Sequence, residues 1–151
     1  MRQPIDRSEH DLTPARPPAL EGTVRLRVRY CECDPMGVAH HAAYIPWLEL
    51  ARTELLRVTG VSYADMERAG VYLVVARLEA RYKAPARYDD ELEILTKVSG
   101  GGRARIDHEY EVWLWTQDAG RTRLLCTASS TLACVDSTGH PRALPAWLAV
   151  K

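Results

Sequence analysis

Asp34, followed by Pro35-Met36-Gly37 and then by His40 and His41, is where residue types and spacing in this chain could do chemistry. A carboxylate held just ahead of a helix faces that helix's unpaired backbone N–H groups. The pairing suits attack on an acyl group. The N–H groups hold the carbonyl oxygen, and the carboxylate acts as base or nucleophile. The plainer reading is that Asp34 merely initiates a turn, as Asp does in most loops, and on residue type alone that reading is the stronger. Gly37 is equally two-sided, permitting a positive φ or a close backbone approach to a ligand. His40 and His41 could ligate a metal with Asp34 or Cys33. However, adjacent side chains at a helix start diverge and no third ligand stands nearby, so no metal is assigned.

The other reactive residue types are weaker candidates. Tyr30 reads as a core aromatic whose hydroxyl needs a partner. Cys31, Cys33, Cys126 and Cys134 form no Cys-x-x-Cys pair and have no local base, so each reads as a small buried hydrophobe. Trp113 and Trp115 share the charged face of a strand with Glu109 and Glu111, as a subunit-contact patch or as an edge strand covered by its own loop.

The elements that must position Asp34 follow from periodicity. Residues 1–21, with four prolines before residue 21, read as a mobile arm, and the domain proper as 22–151. Val24, Leu26, Val28 and Tyr30 alternate with Arg25, Arg27 and Arg29 as a strand, which the 34–37 turn ends. Tyr44, Trp47, Leu48, Ala51, Leu55 and Val58 recur at helical spacing, with Glu49, Arg52, Glu54 and Arg57 mostly on the other side. Pro46 must fall in the first turn, so the regular helix begins near Ala42 or Ala43, and Gly60 stops it. A short helix over 62–69 follows.

Four strands come next: 71–83, then 92–98 up to a break at Gly100-Gly101-Gly102, then one with Ile106, His108, Tyr110 and Val112 on a single face, then 122–135. The tail over 143–150 reads as a short helix. One long helix segregated from a run of strands predicts an α+β fold, an antiparallel sheet packed on that helix.

Composition narrows the function classes. With 151 residues, 46% apolar and 26% charged, the chain suits one soluble domain. Its formal net charge of zero, with interleaved signs, argues against non-specific nucleic-acid binding. No apolar run approaches a membrane span. Reduced cysteines without a leader in view suit a cytoplasmic protein.

Residues 22–145 resemble the hotdog-fold acyl-CoA thioesterases of the YbgC / 4-hydroxybenzoyl-CoA thioesterase type. The first matching motif is Arg29-Tyr30-x-Glu32-x-Asp34-x-x-Gly37-Val38-x-x-His41-x-x-Tyr44, followed by Glu49-x-Ala51-Arg52-x-Glu54. Tyr82-x-Ala84-Pro85-Ala86-x-x-Asp89-Asp90-x-Leu92-x-Ile94 and Pro141-Arg142-x-Leu144-Pro145 complete it. The chain departs from many relatives at Pro46 and at His40, where an apolar or aromatic residue is common.

The resemblance implies a five-stranded antiparallel sheet wrapped around a long central helix, and hydrolysis of an acyl-CoA thioester to a free acid and coenzyme A. Asp34 matches the catalytic carboxylate, and the backbone N–H of His41 the amide that polarises the thioester oxygen. Tyr30 and the His41 side chain match supporting positions. Gly37, Val38, Tyr44 and Trp47 would line the substrate site, with Lys83, Arg87 and Arg103 within reach of the coenzyme A phosphates. No cofactor is implied, since coenzyme A belongs to the substrate. The resemblance also implies dimers whose sheets join edge to edge, paired into homotetramers, with each active site shared between subunits. A non-catalytic acyl-CoA or acyl-carrier binding module, and a hotdog dehydratase using Glu49 with a histidine, are the alternatives; the Asp34 turn favours the thioesterase.

Overall fold

The computed structural model describes residues 12–150. Its elements are β1 (Glu21–Arg27), α1 (Tyr44–Arg57), α2 (Tyr63–Arg68), β2 (Tyr72–Tyr82), β3 (Glu91–Gly102), β4 (Arg105–Thr116) and β5 (Gly120–Val135). The strands form one antiparallel sheet in the order β1-β3-β4-β5-β2. Because β1 and β2 occupy opposite edges, the chain between them must cross the sheet, and α1 lies on its inner face. This is the hotdog arrangement.

The alternating patterns explain the packing. Leu92, Ile94, Thr96, Ile106, His108, Tyr110 and Val112 are buried on the inner face of β3 and β4. Against them α1 turns Tyr44, Trp47, Leu48, Ala51 and Leu55. A second cluster, built on Leu56, Met66, Val71 and Ile106, closes the other end of the sheet. On the outer face, Glu93 is buried between Arg25 and Arg121, at 3.2 and 2.6 Å.

Several elements differ from their sequence patterns. The first strand ends at Arg27 rather than running to the 34–37 turn, and Tyr30 opens a 3-10 turn over Tyr30–Glu32. The Glu32 carboxylate accepts the Arg29 N–H at 2.8 Å and draws the chain off the sheet. The regular helix starts at Tyr44, after a 3-10 turn over His41–Ala43, with Pro46 in its first turn. Val58 is 48% exposed, outside the apolar face, whereas Arg52 is buried.

The three glycines do not end the strand, although the register to β4 shifts between Val98 and Gly100. β3 runs through them, pairing with Arg105–Asp107. A Cβ at Gly101 would lie 2.8 Å from the Arg105 carbonyl oxygen, so glycine there permits close approach. The tail over 143–150 forms no helix. Pro145 instead accepts from the Leu148 and Ala149 N–H groups in a turn, and Trp147 and Leu148 pack on the second cluster.

Of the expected mobile arm, residues 12–20 lie along the body of the domain and Glu21 already belongs to β1. Leu12 is buried, and the Ala15 and Arg16 N–H groups donate to the Thr59 carbonyl. Residues 1–11 of that arm fall outside the described part. All four cysteines are free. Cys126 and Cys134 are buried as expected, but Cys31 is exposed and Cys33 half-buried, because the 3-10 turn turns them outward. Trp113 and Trp115 are half-buried. The Trp113 indole donates to Glu111 at 2.8 Å and the Arg25 guanidinium lies 3.8 Å above the Trp115 ring.

Candidate active site

The Asp34 loop is a closed hairpin. Cys33 and Ala39 form an antiparallel bridge, Asp34 N–H donates to Val38 O at 2.9 Å, and His40 N–H donates to Glu32 O at 2.7 Å. Asp34 Oδ1 accepts the Met36 N–H at 2.9 Å and lies 3.5 Å from the Val38 nitrogen. The carboxylate thus does initiate its own turn. Its second oxygen, Oδ2, has no hydrogen-bond donor among the described residues. Gly37 holds a φ of +76°, with nothing within 4 Å of where a Cβ would stand, so backbone conformation alone calls for glycine.

The far arm of the hairpin delivers the helix start. His40 Nδ1 accepts the Ala42 N–H at 3.1 Å and caps the 3-10 turn. The His41 N–H, at the head of that turn, has no hydrogen-bond acceptor among the described residues. The His41 carbonyl accepts the Tyr82 hydroxyl at 2.8 Å, and the two histidine rings lie 4.1 Å apart. Glu32 locks the loop to α1 by accepting from Arg29 and, at 3.0 Å, from the Trp47 indole N–H. Burial works to raise the Glu32 carboxyl, but the Arg29 guanidinium and N–H and the Trp47 indole together hold it below the usual range. Beside them, burial pushes the Tyr44 hydroxyl up to about 12.

A second loop supports the first. Lys83 and Ala84 N–H both donate to the Leu125 carbonyl, at 2.8 and 3.1 Å, which ends β2 and starts the 83–90 loop. The Ala39 N–H donates to Ala86 O at 2.7 Å, and Val38 bridges Arg87.

The structure therefore brings Asp34, Gly37, Val38, the His41 amide and Arg87 together, with Lys83 on the same loop as Arg87. Tyr44 and Trp47 lie beneath them in the core, each no more than 3% exposed. Tyr30 is 80% exposed with its ring edge-on to Tyr88, 5.5 Å between centroids, rather than in the core. Arg103 occupies the β3–β4 turn; at about 3.3 Å per residue, β3 carries it roughly 35 Å from the strand end beside the Asp34 loop. Within one chain it does not join the site. Glu49, ion-paired to Arg52 at 3.1 Å, projects largely into solvent. Sequence reasoning passed over Glu32 and Tyr82 as site residues. Both stood in the motifs, but their partners lie 15 and 41 residues away.

A long helix crossing a five-stranded antiparallel sheet is the hotdog fold, and its relatives place this chain among the thioesterases of that fold. The family model described as "Thioesterase-like superfamily" matches residues 28–151, and the chain belongs to that family. It is 36% identical over 123 residues to the acyl-CoA thioester hydrolase YbgC of Escherichia coli, covering 80% of this chain and 87% of the relative. The crystal structure of the DHNA-CoA thioesterase from Staphylococcus aureus superposes with a TM-score of 0.75 at 33% identity, over 82% of this chain and 80% of that one. A 4-hydroxybenzoyl CoA thioesterase mutant complexed with 4-hydroxybenzoyl CoA shares the fold, with a TM-score of 0.75 at 22% identity over 85% of this chain and 95% of that one.

Proposed function

We propose that this protein hydrolyses an acyl-CoA thioester to a free carboxylic acid and coenzyme A, with Asp34 as the catalytic carboxylate. The observation that carries the reading is the pair of unfilled groups on one closed hairpin: Asp34 Oδ2 and the His41 N–H. The thioester oxygen accepts from the His41 N–H, where the aligned dipoles of the helix start favour gathering negative charge. Asp34 Oδ2 then attacks the carbonyl carbon, expelling the coenzyme A thiolate and leaving an anhydride, which water opens at the Asp34 carbonyl so that the bridging oxygen leaves with the acid. In the general-base route Oδ2 instead takes a proton from the attacking water. Single-turnover hydrolysis in ¹⁸O-water separates the two, because only the first route delivers an enzyme oxygen to the first product.

Gly37 and Val38 border the substrate, and Lys83 and Arg87 face its phosphates. Neither route draws on a cofactor. The family relationship and the exposed 11-residue edge strand β2 support assembly through β2 of two copies, and of dimers into a tetramer. A cytoplasmic location is part of the same proposal; among the described residues no helix is long and apolar enough to cross a membrane.

Asp34→Asn tests the proposal. The amide oxygen still caps the turn but no longer attacks or accepts a proton. Thioester hydrolysis, read as thiol release, is expected to fall by about 100-fold or more with unchanged fold. Wild-type turnover in that variant would remove Asp34 from the mechanism.

A further inference from the structure

Behind the C-terminal half of α1 lies a cavity of about 310 Å³, walled by Leu55, Leu56, Leu73, Val98, Ile106 and Trp147. None of its walls comes from the 30–43 or 83–90 loops, so it is separate from the Asp34 site. Its size is near the lower end for small-molecule pockets, roughly 300–1,000 Å³.

Of the polar side chains facing this space, Arg52, Thr59, Tyr63 and His108, two keep unfilled groups, Arg52 and His108. The Arg52 side chain is 4% exposed. Its Nη2 donates to Glu49 at 3.1 Å, but Nε and Nη1 are buried without an acceptor. The Tyr63 and Tyr110 hydroxyls approach the guanidinium as hydrogen-bonding neighbours, yet neither meets Nε or Nη1 in both distance and angle. His108 Nδ1 is likewise buried without a partner. Buried polar groups of folded proteins are nearly always paired, and a buried cation with two unfilled donors calls for an anion more strongly than any neutral group does. The unfilled Nη1 is free to donate to an anion, and a carboxylate is the group that guanidinium N–H donors meet best.

We propose that this cavity is a second binding site, for a free carboxylic acid with a short apolar tail: carboxylate on Arg52, tail along Leu55, Leu73, Val98 and Ile106. A monoanion fits better than a phosphate. Arg52 is the single cation in the wall, Glu49 already offsets part of its charge, and burial keeps His108 neutral at ordinary pH. A dianion would leave charge uncompensated among aliphatic side chains. The site does not depend on what Asp34 does.

The test is calorimetric titration of the full chain with sodium octanoate and, separately, with 1-octanol, which has the same chain length and no charge. Octanoate is expected to bind at least about tenfold more tightly than octanol, and to bind Asp34→Asn as it binds wild type. Arg52→Gln is expected to lose the preference for the acid, and Leu73→Trp, which fills the cavity, to lose both ligands. Equal binding of octanoate and octanol by wild type would overturn the proposal, a result that needs no variant to fold. So would octanoate binding that survives in folded Arg52→Gln but vanishes in Asp34→Asn, or no saturable octanoate binding below its micelle concentration.

Discussion

Asp34 commits one carboxylate oxygen to its own turn and leaves the other open, so the choice of substitution separates structure from chemistry. Asp34→Ala removes the turn acceptor as well and is expected to cost about 1 kcal/mol of stability that Asp34→Asn does not; chemical denaturation of the two variants checks this. Tyr82 holds the His41 carbonyl at 2.8 Å, and Tyr82→Phe removes only that bond. The expected result is a fall in kcat of up to about tenfold, with a stability loss on the order of 1 kcal/mol, measured by steady-state kinetics and denaturation.

His108 predicts a pH effect. Burial first, then the Arg52 charge, pulls its imidazole from 6.5 down to about 4, against a smaller opposing pull from Asp107. The folded chain therefore binds fewer protons than the unfolded one between these values, and stability falls as pH drops through that window. The loss amounts to as much as about 3 kcal/mol. His108→Gln should flatten the stability–pH profile between pH 6.5 and 4. Glu32 and Glu93, both held low by arginines, begin to add acid sensitivity of the same sign as pH falls below about 4.5, at the low end of that window.

At the level of elements, the site depends on how α1 begins and how β3 continues. Pro46 sits where a helix has spare N–H groups, so it does not disturb the start that carries the His41 amide. β3 passes through Gly100–Gly102 because the Arg105 carbonyl and Val150 side chain press against Gly101. Gly101→Ala is thus expected to destabilise the fold by about 1–3 kcal/mol, as overpacking does, in thermal unfolding, with little change in KM because the Asp34 loop is at the other end of the strand. Three consecutive glycines suggest a break by composition, but at Gly101 the cause is the close approach of the Arg105 carbonyl and of Val150, which only the folded chain brings there. Arg52 teaches the same lesson. Its place on the polar side of the helix pattern gave no sign that its guanidinium would be buried beside His108.

For the whole molecule, the outer edge of β2, unpaired among the described residues, matters most. Val74 and Val75 are 44% and 48% exposed there, near Arg77, Glu79 and Arg81, whose charges alternate and can meet their opposites in a second antiparallel copy. Val75→Lys should shift the chain toward monomer in light scattering after size exclusion, with loss of activity if the site is completed by the partner. Unchanged mass in the variant would place the subunit contact elsewhere.

The sequence by itself determined the alternating strands, the helix face, the turn at Asp34–Gly37 and the family, because each is written in local periodicity or in residues a few positions apart. Only the tertiary structure decided which groups remain unfilled. Whether Asp34 Oδ2, the His41 N–H and the Arg52 guanidinium have partners depends on residues brought close by sheet pairing and helix packing. Glu32 with Trp47, Tyr82 with His41 and the walls around Arg52 are all such meetings. Hydrogen-bond demand is a property of each residue, but its satisfaction is a property of the fold.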